Sequence, residues 1–179
     1  SYAITASAAV GTGLSNYTIT YAPGTFSVTQ APLTVTASNQ TKTYGNAFTF
    51  LGTEFTTTGL LNADTVSSAT LSSFATPATA VVGSYGITAS GATGTGLGNY
   101  TITYAPGTFA VTPAPLTVTA SNQTKTYGNA FAFLGTEFTT AGLRNSDTVT
   151  SATLSSLATP ATAAVGSYGI TVAGATGTG

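Results

Sequence analysis

The chain has 179 residues, and only 4% of them are charged (Lys42, Lys125, Arg144, Glu54, Asp64, Glu137 and Asp147), against about 25% in ordinary globular chains. So few charges exclude a basic track for nucleic acid and an acidic surface for cation capture. Cys, His, Met and Trp are all absent, which removes soft metal ligands, thiol nucleophiles and the imidazole that most acid/base chemistry uses; neither a cofactor nor a catalytic role is expected.

Hydrophobic residues make up 42% of the chain, enough to form a core, and the polar remainder is rich in Thr, Ser and Gly. β-branched Thr favours extended backbone and Gly supplies turns, so the class is β-dominated. The sequence has no run of about 18 apolar residues, so no membrane insertion of this segment is expected. A repeat organises the whole: LTVTASNQTKTYGNAF from Leu33 recurs from Leu116, 83 positions on. Ser84-Tyr85 likewise maps onto Ser167-Tyr168 and back onto Ser1-Tyr2. The expected units are therefore 1–32, the C-terminal part of a repeat; 33–115, a complete repeat; and 116–179, the N-terminal part of the next. Nine substitutions separate residues 33–96 from 116–179, among them Thr49/Ala132, Leu61/Arg144 and Phe74/Leu157; most are swaps a β-domain tolerates.

Along the chain, residues 21–29 read as a hairpin like that at 104–112, where Pro106-Gly107 fits the centre of a type II turn. The first joint contains Pro32, which fixes φ and holds its predecessor extended. Leu33-Thr34-Val35-Thr36-Ala37 alternates apolar and Thr, the period of a strand with one buried face. Tyr44-Gly45-Asn46, and its copy at Tyr127-Gly128-Asn129, reads as a tight turn in which the Gly (Gly45, Gly128) or the Asn that follows it can take positive φ. An extended run follows over 48–57. Residues 62–68 are the one stretch compatible with a helix, Asp64 acting as N-cap. Strands are expected at 70–76, closed by Pro77, and at 84–89, with Gly91 to Gly96 as a flexible Gly-rich connection. The alternation returns at 100–104 and 109–112. Prolines 113 and 115 then stiffen the second joint (Pro113, Pro115), giving small domains of about six strands and at most one short helix, set end to end as a rod.

The candidate chemistry is sparse. Glu54 with Asp64, and Glu137 with Asp147, supply two carboxyls per unit, as a glycosidase pair would at roughly 5 to 10 Å. No cleft-forming loops or aromatic sugar platforms accompany them, so a capping Asp and a solvated or Lys-paired Glu are expected. Lys42, Asn46, Asp64 and Glu54 are the residue types of an intramolecular isopeptide crosslink; the simpler expectation is that Lys42 is a solubilising surface charge. Asn16, Asn39, Asn99 and Asn122 each head an Asn-x-Thr triplet, a pattern that a Thr-rich composition produces by itself. Gly91 to Gly96 lacks the Lys and following helix of a phosphate loop. The Thr faces (Thr34/Thr36, Thr101/Thr103, Thr117/Thr119) satisfy β-propensity without charge.

The motif order LTVTAS, KTYGN, the Gly59 to Thr65 segment, VGSYGIT, NYTITY and GTFAVT resembles the MBG domain of the YGX type, which occurs in tandem in very large bacterial surface and secreted adhesin-like proteins. The resemblance covers essentially the whole chain. It implies a compact β-grasp-like or sandwich-like fold, repeats serving as stalks, an extracellular or cell-surface location, and in some cases binding of glycans or mucins; it brings no catalytic residues. A stalk or fibre shaft is the first functional expectation, a multivalent glycan-binding module the second. A laterally self-assembling biofilm-matrix fibre is the third, since charge-poor edges lack the Lys and Glu that oppose pairing. The expected partners are thus neighbouring repeats, other copies of the chain, and glycans.

Overall fold

A computed structural model describes residues 1–179. The complete unit contains seven strands. The chain begins with a short strand β1 (Tyr2–Ile4), a single 3-10 turn and β2 (Gly24–Phe26). The complete unit follows with β3 (Ala31–Ala37), β4 (Gln40–Thr43), β5 (Phe55–Thr58), β6 (Thr65–Ser72), β7 (Gly83–Thr95), a second 3-10 turn, β8 (Tyr100–Ala105) and β9 (Gly107–Thr112). The last unit holds β10 (Thr117–Ala120), β11 (Phe138–Ala141), β12 (Thr148–Ser155) and β13 (Thr171–Thr178).

The complete unit has two sheets, ordered β5-β3-β8 and β4-β9-β7-β6. Its first and last strands pair in parallel, through Ala31↔Tyr100 to Thr36↔Ala105 in one sheet and Gln40↔Phe109 to Thr43↔Thr112 in the other. β3 and β4 are thus two arms of one bent chain segment that leaves one sheet for the other, and β8 and β9 make the same crossing beside it. Pro106 and Gly107 mark this bend, so no hairpin forms there: β8 and β9 pair with β3 and β4, not with each other. In the first unit, β2 likewise pairs with β1 rather than with the residues just before it. Gly107 is required at the bend because a Cβ would fall 2.5 Å from the Ala37 carbonyl oxygen.

Alternation buries Leu33, Val35 and Ala37 on one face of β3. Together with Ala69 and Tyr100, Leu33 and Val35 form one half of the core. Phe109, Val111, Ile87, Leu71, Ala75 and Ala37 form the other half, which Phe48 and Phe50 cover from an irregular segment. Phe109 is fully buried, with ring centroids 4.9 Å from Phe48 and 6.1 Å from Phe50 in edge-to-face contact. Burying such a ring stabilises by about 2–3 kcal/mol, and aromatic geometry adds up to ~1.5 kcal/mol.

Three expectations are corrected. Residues 62–68 form no helix: Asn62 and Ala63 take φ of 53° and 60°, which ends any helical path, and Thr65 onward is strand β6. The run expected over 48–57 is strand only at Phe55–Thr58. Gly91 to Gly96 is not a flexible tether, because residues 91–95 belong to β7 and pair with β6 across two register shifts. Gly94 presses against the Thr65 carbonyl so closely that a Cβ cannot fit. Its small size therefore serves strand packing rather than freedom.

Candidate functional site

All seven charged side chains are taken up by the fold or by the joint, Lys125 donating to the carbonyl oxygens of Asn129 (2.9 Å) and Pro160 as Lys42 does to those of Asn46 and Pro77. Lys42 is buried, and its ammonium donates to the carbonyl oxygens of Asn46 (2.9 Å), Thr76 and Pro77. It is a strap across a loop rather than a surface charge, and burial lowers its pKa. Glu54 accepts backbone N–H bonds from Leu51 (2.9 Å), Gly52 (3.0 Å) and Thr53 (3.1 Å), and Glu137 repeats the arrangement with Leu134, Gly135 and Thr136. Partial burial would raise the Glu54 pKa, but these N–H donors outweigh it and hold the carboxyl below its ordinary value. For Glu137 the Leu134 N–H is the leading cause of the same lowering. The glutamates are half-exposed but not paired with Lys; each stabilises its own turn.

Asp64 is no N-cap. Its Oδ2 accepts from the Tyr100 hydroxyl (2.8 Å), which also donates to the Leu61 carbonyl (3.1 Å) and accepts from the Leu61 N–H (2.8 Å). Burial, with the adjacent Asp64 carboxylate, pushes the Tyr100 phenol up. Gly96, at φ 73°, sits where any Cβ would collide with the Asp64 carboxylate. The carboxyls of Glu54 and Asp64 thus hold separate structural posts rather than facing a shared substrate. The crosslink set is not assembled either: Lys42 meets only carbonyls, and Asn46 offers its backbone.

The proline and glycine positions cluster at the joints. Pro32 lies inside β3, paired with Thr101, so the first joint is absorbed into a sheet. Gln30 fastens it further, donating to the Gly98 carbonyl (3.0 Å) and accepting from the Thr101 hydroxyl (3.3 Å). Pro113 and Pro115 lie in the four irregular residues between β9 and β10. Across this second joint the Tyr44 hydroxyl donates to Asp147 Oδ1 (3.2 Å) and the Asn145 amide donates to the Ala78 carbonyl (2.9 Å). Gly45, at φ 87°, lies under the Arg144 side chain, and a Cβ there would come 2.5 Å from Arg144 Cγ. Gly128, at φ 92°, has open space in front of it. A cleft of about 390 Å³ remains between the two units, lined by Val81, Val82, Leu116 and Leu143. Tyr44, Asn145 and Asp147 as joint residues were not legible from the sequence; the Leu61/Arg144 substitution was the one hint.

A second feature opens on the last unit. Tyr127, Phe131, Phe133, Ala158, Tyr168 and Ile170 line a cavity of about 600 Å³. These correspond, 83 positions on, to Tyr44, Phe48, Phe50, Ala75, Tyr85 and Ile87, the surroundings of Phe109 in the complete unit. Phe131 and Phe133 keep the same edge-to-face contact, with centroids 5.1 Å apart. No group of three or more acidic, His or Cys residues that could hold a metal is present.

The comparisons agree with this architecture. The MBG domain (YGX type) family matches residues 33–110 and 116–178. No curated protein and no solved structure matches the chain. Two matched copies, covering most of the residues and coinciding with the two β-units, place this chain in the YGX-type MBG domain family.

Proposed function

We propose that the chain is a segment of a structural stalk or fibre shaft, part of an extracellular bacterial adhesin or surface filament, with no enzymatic role. MBG-domain repeats are typical of bacterial surface proteins, which supports the location. The carrying observation is the joint: Tyr44 to Asp147, Asn145 to Ala78 and Arg144 over Gly45 tie one unit to the next beyond the peptide linkage. A spacer needs fixed unit-to-unit orientation and repetition, and near-identical copies provide both.

In the complete unit Tyr44, Tyr85, Tyr100 and Tyr104 are all buried or half-buried. That favours a shaft over a glycan-gripping surface, since Phe74 is the one aromatic ring the complete unit presents to solvent. Imaging arrays of increasing repeat number by electron microscopy tests the reading. Rods should lengthen by a constant step, on the order of 40 Å per unit from strand dimensions. Compact particles whose length does not follow repeat number would refute it.

A further inference from the structure

The surface that the complete unit turns toward its neighbour is built from two separate loops. Residues 44–46, just beyond β4, contribute the Tyr44 hydroxyl and the bare backbone of Gly45, and residues 76–78, beyond the end of β6, contribute the Ala78 carbonyl. What meets this platform is a tight turn of the last unit, in which Asn145 and Ser146 take φ of 49° and 67° and the Asp147 N–H returns to the Arg144 carbonyl (2.7 Å). The turn aims three side chains at the platform: Arg144 over Gly45, the Asn145 amide at Ala78 and the Asp147 carboxylate at Tyr44. Hydrogen bonds are short-ranged and directional, so all three contacts hold together only while the two loops keep a fixed spacing.

Lys42 fixes that spacing. It stands in β4 beside Val111 of β9 with its side chain buried, and its ammonium donates to Asn46 in the first loop (2.9 Å) and to Thr76 (3.5 Å) and Pro77 in the second. An ammonium has three donors and no acceptor, so a single side chain gathers three carbonyl oxygens that no apolar residue could draw together. Two backbone bonds complete the platform. The Gly45 N–H donates to the Ala78 carbonyl (3.2 Å), the same oxygen that receives the Asn145 amide, and the Tyr44 N–H donates to the Thr112 carbonyl (2.9 Å) at the start of the linker. Burying a lone ammonium costs free energy, and no carboxylate offsets it here, so the residue is explained by what it arranges. We propose that Lys42 is the positioning residue of the joint: its ammonium clamps the two loops into one surface that recognises the Arg144–Asp147 turn, and thereby sets the orientation of one unit relative to the next. The proposal rests on the shaft reading, since a shaft is what needs that orientation.

The repeat supplies an internal control. Lys125 makes the same strap in the last unit, to Asn129 (2.9 Å) and Pro160, and the Gly128 N–H donates to the Ala161 carbonyl (3.2 Å) as that of Gly45 does to Ala78. A Cβ placed at Gly128 meets nothing within 4 Å, whereas one at Gly45 meets the Arg144 side chain. The two lysines thus do the same work inside their own units, and only the Lys42 loops carry the contacts of the joint between residues 33–112 and 116–179. A merely structural lysine would behave alike at both positions; a positioning lysine matters to the joint at position 42 alone.

Residual dipolar couplings of the 179-residue chain read the joint directly. In the wild type, the amides of β6, β7 and β9 and those of β12 and β13 should fit one shared alignment tensor. Lys42→Met should split that fit, the last unit losing alignment relative to the complete unit, while the resonances of the buried Phe109 and Ile87 stay in place. Lys125→Met should keep the shared tensor. The chain has no cysteine, so Lys42→Cys can be aminoethylated at that one sulfur in denaturant and refolded, which restores an ammonium at nearly the same reach; the shared tensor should return with it. A Lys42→Met chain that keeps one tensor overturns the proposal and leaves the shaft reading standing. So does a joint that Lys125→Met loosens equally, a split that the restored ammonium does not close, or loss of the Phe109 and Ile87 resonances in Lys42→Met, which assigns the lysine to folding alone. Two tensors in the wild type refute the fixed joint itself, and the shaft reading with it.

Discussion

Lys42 shows how a charge-poor domain uses the few charges it has. Its ammonium holds the carbonyls of Asn46, Thr76 and Pro77 beneath the turn. Replacing it by Met leaves those acceptors without a donor, and unsatisfied buried groups cost about 1–3 kcal/mol each in the worst case. Lys42→Met should therefore lower the urea midpoint by an amount corresponding to about 2–3 kcal/mol. Glu54 and Glu137 make a pH prediction. Their folded-state pKa lies below the unfolded value, so their contribution is present above the unfolded pKa and fades as pH falls through the folded one. Thermal melts of the wild type should drop on acidification below about pH 4, and Glu54→Gln with Glu137→Gln should flatten that drop while lowering the melting temperature at neutral pH. These roles were not visible in the sequence, because a carboxylate bound by the N–H groups of its own turn leaves no spacing signal. Residue types alone suggested a pairing with Lys that the fold does not make.

At the scale of elements, the alternating strands at 33–37, 100–104 and 109–112 were legible because each has one apolar face and few breaks. β6 was not. Its burial alternates until the register shifts around Ser68 move the inward position from Ser68 to Ala69, and the broken period made a Ser/Thr-rich strand read as a short helix. Pro106-Gly107 was misread for a different reason. Pro-Gly suits a type II turn and a bend between sheets equally well, and the deciding partners, β3 and β4, lie some seventy residues away. The dependence of strands on those distant partners is measurable by amide hydrogen exchange. Amides of Gln40–Thr43 should be protected, whereas those of 123–126, the same sequence without its parallel neighbour, should exchange within the dead time of the experiment.

The repeat was the most legible feature of the whole molecule, and the linkage between repeats the least. Prolines announced a stiff joint, but its hydrogen bonds connect residues from separate units that no periodicity brings together. Tyr44→Phe combined with Asn145→Ala should remove both cross-joint hydrogen bonds, worth about 1 kcal/mol together, without unfolding either unit. Distance distributions between spin labels placed in 33–112 and 116–179 should broaden in that variant relative to the wild type, with melting behaviour nearly unchanged.

The parallel pairing of the first and last strands decides how a unit answers tension. A pull along the array draws the start of β3 one way and the end of β9 the other, so the adjacent strands slide lengthwise past each other. All ten paired positions from Ala31↔Tyr100 to Thr43↔Thr112 then share the load at once instead of parting one after another like a zip. Stretched by an atomic force microscope, complete units should rupture singly and at high force, and Phe109→Ala, which unseats the strand that bears the strain, should lower that force.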